Sequence, residues 1–213
     1  MATGIQMSGT KRKVSNPLAL AVLVLLYERP MHPYEMAATL RERRKEESIK
    51  LRYGSLYTVI ELLVKAAFIA EKRTSREGNR PERTVYEITA AGEAEMRGWM
   101  REILSTPTKE YPQFEAGLSL LPAVPPEEAI DLLETRLEFL KKDIDQIHTS
   151  LGQAKSMNLA ALFSIESEYR LAALETELGF VQKLIARIEK DGCGFLKEWK
   201  AWHAQKTPRR KKS

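Results

Sequence analysis

One short stretch of this chain has residue types suited to reading a polar surface. In "YGSLYTVIELL", Tyr53, Gly54, Ser55, Tyr57 and Thr58 put a glycine and four hydroxyls within six residues, just after Lys50 and Arg52. Hydroxyls both donate and accept hydrogen bonds, and small residues let another surface approach the backbone closely. On a helix entering the major groove of a duplex, that is the chemistry of base-edge contact. Lys50, Arg52, Lys65, Lys72 and Arg73 suit phosphate oxygens, which fix register without reading sequence. Glu61 cuts against this, because a carboxylate repels phosphate unless it accepts from a cytosine amine. It marks where such a helix leaves the groove. Catalysis finds no comparable set. His32, His148 and His203 are scattered, and neither an H-x-x-x-H pair nor a phosphate-cradling glycine loop occurs. Cys193 stands between Gly192 and Gly194 without an activating cation. No catalytic residue, metal ligand or cofactor is therefore expected.

The hydroxyls need a rigid helix behind them. From Leu51 to Ile69 the apolar residues follow a helical period. At about 100° per residue, Leu56, Ile60, Leu63 and Ala67 share one face with Val59 and Val64 beside it. Thr58, Glu61 and Lys65 oppose that face, and Ser55 and Tyr57 fall on its boundaries, so Tyr57 reads equally as core or contact. Upstream, Asn16 and Pro17 make an N-cap and first-turn pair for a helix to about Glu28, apolar almost all round and therefore central. After "RPMH", a second helix from about Pro33 to Glu46 turns Tyr34, Ala37 and Leu40 to the core and Arg41, Arg43, Arg44 and Lys45 to water. His32 and Tyr34, at its positive end, can add phosphate contacts. "FIAEKRTS" and "ERTVYEIT", separated by "REGNRP", read as a β-hairpin. Its Arg76, Asn79 and Arg80 either reach the minor groove or form a solvated loop. Thr89 then caps a fourth helix to about Leu104. Three helices, a hairpin and a further helix make a winged helix-turn-helix over residues 17–104, preceded by a basic arm, 1–16, with Lys11, Arg12 and Lys13.

Residues 105–124 carry prolines and read as a linker to a helical domain over 125–200. There Ile130, Leu133, Leu137, Leu140, Ile144, Ile147 and Leu151 alternate spacings of three and four, as do Leu171, Leu174, Leu178, Val181, Ile185 and Ile188. Two such seams, joined by a loop at 152–158, predict an antiparallel pair of long helices that cannot cover all its apolar surface alone. A second copy is the simplest cover, which makes the seams the expected homodimer contact. Trp99, Tyr169, Trp199 and Trp202 invite either an effector pocket, with Trp99 and Tyr169 as its candidates, or ordinary dimer packing. Residues 201–213 end in "PRRKKS", a solubilising tail or an aid to nonspecific binding.

The formal charge of +5 hides a sharper division: residues 1–105 carry a net +5, residues 106–200 a net −5 and the last thirteen +5. A basic front and an acidic back predict that one domain meets a polyanion while the other does something else. The longest apolar run, Pro17 to Tyr27, is too short to span a bilayer and lacks a cleavage pattern after it. A cytoplasmic protein without a membrane partner is expected. The fold class is mainly α, a winged helix-turn-helix with a two-stranded wing followed by a long-helix hairpin.

With these elements in order, the chain resembles the PadR family of transcriptional regulators. The resemblance rests on "LALAVLVLLYERPMHPYEMA", "YGSLYTVIELLVKAAFI", "REGNRPERTVYEIT" and "TAAGE", together about residues 17–104. The helical part looks like that of the longer members. The family commonly has glycine after the M-H pair, where this chain has Pro33, which offers no backbone N–H to a phosphate. The resemblance implies a prokaryotic, dimeric regulator, often a repressor, bound to a near-palindromic operator in double-stranded DNA and released by an aromatic or drug-like small molecule. Two alternatives come from other classes: a winged helix used as a protein-interaction module, and a small-molecule binding protein without DNA activity.

Overall fold

In the computed structural model, which describes residues 15–50, 52–72, 84–191 and 194–206, the first helix starts where Asn16 and Pro17 place it. Asn16 Oδ1 accepts the Leu18 N–H at 2.9 Å, and α1 (Pro17–Glu28) buries Leu18 through Leu23 together with Leu25 and Leu26. Helix α2 (Pro33–Glu42) is shorter than its charge run suggests. Leu40 is its last buried residue, Arg44 turns left-handed at φ 54°, and Lys45–Glu47 continue only as a 3-10 turn. Beyond Leu40 no apolar side chain holds the run against the core, so the helix is not propagated.

Helix α3 (Tyr53–Lys65) buries Leu56, Val59, Ile60 and Leu63 against α1, α2 and the start of β1. It ends earlier than the apolar rhythm implies. Ala67, expected on the core face, is exposed and sits at φ 61° just past the helix. The Phe68 N–H donates to the Leu63 carbonyl at 3.0 Å and the Ala67 N–H to that of Val64 at 2.9 Å, which is a complete Schellman closure. The same closure after the long sixth helix uses Asn158 at φ 52°, a residue that tolerates the left-handed region. Alanine does not, at a cost of about 1 kcal/mol. Ala67→Gly should therefore stabilise this part of the chain by about 1 kcal/mol in urea unfolding; an unchanged or lowered midpoint would show that the closure is not under strain.

Strands β1 (Ile69–Lys72) and β2 (Val85–Ile88) pair antiparallel with Ile69 opposite Ile88. Met31, between α1 and α2, exchanges two backbone hydrogen bonds with Tyr86, at 3.1 and 3.0 Å, and its side chain is buried. That bridge ties the start of α2 to the base of the wing. Helix α4 (Ala90–Ser105) opens on Thr89, whose Oγ1 accepts the Gly92 N–H at 3.0 Å and lies 2.8 Å from the Ala67 carbonyl, to which it donates.

The chain divides between Lys109 and Glu110 into two units with separate cores. Residues 110–124, which composition assigns to a linker, supply the second unit with α5 (Gln113–Ser119) and a 3-10 turn at Leu121–Ala123. Phe114, Leu118, Leu121 and Val124 pack on the helical core, so prolines here shape short elements rather than a spacer. Helices α6 (Pro126–Ser156) and α7 (Ile165–Glu189) form the predicted hairpin, with the reversal at 157–164, later than expected. Arg136 lies 3.7 Å over the Phe114 ring while its Nε donates to Glu177 at 2.6 Å, joining α5, α6 and α7. A further helix, α8 (Leu196–Lys206), has no clear sequence signal. It is pinned by Trp199, whose buried indole N–H donates to the Val124 carbonyl at 2.7 Å.

The two seams meet each other. Leu133, Leu140, Val181 and Ile185 are buried in one cluster with Leu184 and Ile188, and Ile130, Leu137, Leu174 and Leu178 pack against it half-covered. Ile144 and Ile147 are buried and Leu171 is half-buried. The expected intersubunit seams are thus already covered within one chain, because a hairpin brings its own a/d edges together before a second copy is needed. Apolar residues left bare lie elsewhere: Leu132 and Phe139, seven apart on α6, are 55% and 67% exposed, and Phe180 on α7 is exposed as well.

Candidate nucleic-acid interface

The outer surface of α3 is built by exclusion. Once its core face is fixed, the helical period leaves Gly54, Tyr57, Thr58 and Glu61 exposed and Ser55 half-buried. An open concavity of about 520 Å³ runs along this surface, lined by Asn16, Arg52, Gly54, Ser55, Thr58, Val59 and Leu62. A Cβ built on Gly54 meets no atom within 4 Å, so nothing in the chain's own packing asks for glycine there. Thr58 Oγ1 donates to the Gly54 carbonyl at 3.0 Å. In this rotamer the hydroxyl proton is used inside the helix, which leaves Thr58 an acceptor oxygen and a methyl group to present. The N-cap of α3 is Arg52, which makes no side-chain cap, and no acidic residue lies in the first turn. The positive helix end and the guanidinium therefore reinforce each other at this edge.

Residues outside the first turn are placed more variously. Tyr57 is 49% exposed, which resolves its two readings toward the surface. Lys50 and Lys65 are exposed. Lys72 lies 3.1 Å from Glu87, so part of its charge is balanced within the sheet. His32 is the N-cap of α2: its Nδ1 accepts the Tyr34 N–H at 3.1 Å, a structural use that its sequence context does not signal. Tyr34 is exposed. The cations of α2 also have carboxylate neighbours. Arg43 grips Glu28 through both oxygens, at 2.5 and 2.7 Å, and holds that carboxyl below its usual range. Arg29 meets one oxygen of Glu35 at 2.5 Å and likewise holds that carboxyl below its usual range. At the base of the wing, burial pushes the Tyr86 phenol up, with Glu71 and Glu61 adding to the effect. Arg73, Arg76, Asn79 and Arg80, the side chain of Tyr53, and Cys193 lie outside the described residues.

Two residues of the surface are missed by sequence reasoning. Asn16 reads there only as a cap, and Leu62, exposed on the wall beside Thr58, carries no signal beyond its spacing from Ser55 and Thr58. The aromatic candidates for an effector site differ in burial. Trp99 is 6% exposed within the winged-helix core, whereas Tyr169 stands 78% exposed on α7. Trp99 packs inward, in the core cluster that α4 shares with α1. Among the described residues no group of His, Cys, Asp and Glu is placed to hold a metal ion, and no helix is long and apolar enough to cross a membrane.

Residues 22–98, from within α1 to within α4, match the model of the transcriptional regulator PadR-like family. The winged-helix unit is PadR-like. Members of that family are transcriptional regulators rather than enzymes. The fold extends the likeness into the helical unit. Bacillus subtilis PadR in complex with operator DNA superposes with a TM-score of 0.65 at 17% identity, over 80% of this chain and 98% of that one. The same Bacillus subtilis protein in complex with p-coumaric acid gives 0.63 at 15%, over 83% and 99%. The Vibrio cholerae virulence activator AphA gives 0.60 at 14%, over 81% and 98%. The chain matches no curated protein sequence. At these identities the solved structures establish the shared PadR fold, a winged helix followed by long helices.

Proposed function

We propose that this PadR-like chain is a sequence-specific DNA-binding regulator that acts as a homodimer, with α3 in the major groove and the wing beside it. The observation that carries this reading is the exposed first half of α3. Gly54, Ser55, Tyr57 and Thr58 are presented at the positive end of a helix, next to Arg52, on an open surface that no other described part of the unit covers. Lys50, Arg52, Lys65 and Arg73 take phosphates, with Lys72 shared with Glu87, and Arg76, Asn79 and Arg80 are assigned to the wing contact. Tyr53 joins the base-facing group, and Tyr34 flanks it. Bacillus subtilis PadR, which shares the fold, is known with operator DNA and with p-coumaric acid. By that likeness the reading includes a near-palindromic operator and an aromatic effector that relieves repression. A mobility-shift titration over rising salt, using the DNA upstream of the chain's own gene, tests it. Specific binding should weaken as salt increases, and the absence of any sequence-selective complex from folded protein would overturn it.

The dimer contact we assign to the faces that the hairpin leaves bare, around Leu132 and Phe139 of α6, in place of the internal seams. Large exposed apolar side chains seven apart favour cover by another helix. Phe139→Glu is expected to shift the chain to monomer in sedimentation while its helical signal stays at the parent level. Leu140→Asp, one position on, should instead unfold the hairpin, because that side chain is buried in its own core. A dimeric Phe139→Glu protein would return the contact to another surface.

A further inference from the structure

We propose that Leu62, together with the methyl group of Thr58, reads the 5-methyl group of a thymine and so fixes one base of the sequence this chain selects. The inference rests on the DNA-binding reading above and deepens it by naming the chemical group that α3 recognises. Gly54, Thr58 and Leu62 follow one another four residues apart, so they share one stripe of α3 with Ser55 at its edge. That stripe and Val59 belong to the open concavity, whose lining Arg52 and Asn16 complete. Tyr57, Glu61 and Lys65 fall on the neighbouring stripe, so the one carboxylate of α3 is not part of the lining. Leu62 is 44% exposed, whereas Val59, three residues before it, is buried. The leucine is therefore offered outward from a surface whose core contacts are already made.

The chemistry of this lining narrows what it can read. Thr58 Oγ1 donates to the Gly54 carbonyl at 3.0 Å, which commits its proton within the helix. Thr58 and Leu62 stand one helical turn apart, about 6 Å along the axis, close enough for their apolar groups to bracket one methyl. A leucine has no donor or acceptor, so it tells bases apart only by an apolar group. In the major groove the thymine 5-methyl is that group, while the other bases present amines, carbonyls and ring nitrogens. The rest of the lining suits the same nucleotide. Arg52 stands at the positive end of α3, where a phosphate oxygen is attracted. Asn16, whose Oδ1 accepts the Leu18 N–H at 2.9 Å, has amide hydrogens to donate to it. Among the described residues that line the concavity there is no Asp or Glu. A guanidinium and an amide beside an apolar strip complement a nucleotide that carries a phosphate and a methyl group.

The test uses the full chain and a duplex that it enriches from a randomised pool. Each thymine of that duplex is replaced in turn by deoxyuridine, which removes the 5-methyl group and keeps every hydrogen-bonding group of the base. At one thymine in each half-site, replacement should weaken parent binding about fourfold, the effect of one methyl group no longer removed from water. Leu62→Ala should bind the thymine duplex more weakly than the parent and no longer distinguish thymine from deoxyuridine at that position. Leu62→Met, which keeps a long apolar side chain, should retain the distinction. Both variants should keep the parent's helical signal and unfolding midpoint, because the residue is exposed. A selected duplex in which no deoxyuridine weakens binding overturns the inference while the DNA reading stands. So does a methyl effect that Leu62→Ala leaves intact, since another residue would then read it. If the parent chain enriches no duplex, the DNA reading fails, and this inference fails with it.

Discussion

Gly92→Ala is expected to destabilise the winged-helix unit by about 3 kcal/mol, enough to unfold much of a marginal domain. A Cβ at that position falls 2.0 Å from the Phe68 carbonyl oxygen and 2.9 Å from Ile88 Cγ1. The oxygen belongs to backbone and cannot rotate away. Moving it disturbs the Thr89 N–H bond to the same carbonyl, 3.0 Å, and with it the cap in which Thr89 Oγ1 accepts from Gly92. The glycine is thus required where the end of α3, the start of β1 and the first turn of α4 cross. Gly98, on the same helix, makes the internal comparison. Nothing lies within 4 Å of its built Cβ, so Gly98→Ala should stabilise by about 0.5–1 kcal/mol through helix propensity alone. Exchange of the α1 amides under urea reads both variants, and a Gly92→Ala protein within about 0.5 kcal/mol of the parent would refute the close-packing account.

Thr58→Glu carries the largest expected effect on binding. The side chain is exposed on the assigned base-facing surface, so a longer residue does not disturb the core, and glutamate favours a helix more than threonine. Stability should be equal to the parent's or slightly higher. Against DNA, the new carboxylate replaces an acceptor oxygen and a methyl group with a charge facing phosphates. Like-charge apposition costs several kcal/mol, so affinity should drop by about 100-fold or more. A calorimetric midpoint at the parent value together with parent-like affinity would remove α3 from the interface. The same loss accompanied by unfolding would instead mean that Thr58, through its bond to the Gly54 carbonyl, holds the helix start.

Local chemistry explains which elements can be read without coordinates. Asn16 with Pro17, Thr89 three residues ahead of Gly92, and the α3 period from Leu56 to Leu63 each satisfy their own backbone or bury their own stripe within a few residues, so composition reveals them. Ala67 misleads the period because a helix stop depends on a left-handed turn that alanine seldom marks. Helix α8 goes unseen for the related reason that one buried tryptophan and a bond to the distant Val124 carbonyl hold it, with no continuous apolar stripe. The candidate site divides in the same way. Hydroxyls at the start of α3 are legible as a cluster, but the internal bond of Thr58, the capping use of His32, the pairing of Lys72 with Glu87 and the inward place of Trp99 depend on the folded arrangement of their neighbours.

By itself, then, the sequence determined the order of the winged-helix elements and of the two long helices, the basic-then-acidic division and the hydroxyl and cation cluster around the start of α3, since each follows from period, cap or charge within a short window. The tertiary structure decided which of those residues are exposed and which apolar seam faces which. The α6 and α7 seams look the same in sequence whether they meet each other or a second copy. Only the fold of the hairpin, which closes Leu133 and Leu140 into one cluster with Val181 and Ile185, separates the two. Exposure is a property of what packs opposite a residue, and that partner lies about forty residues away, beyond the reach of any local pattern.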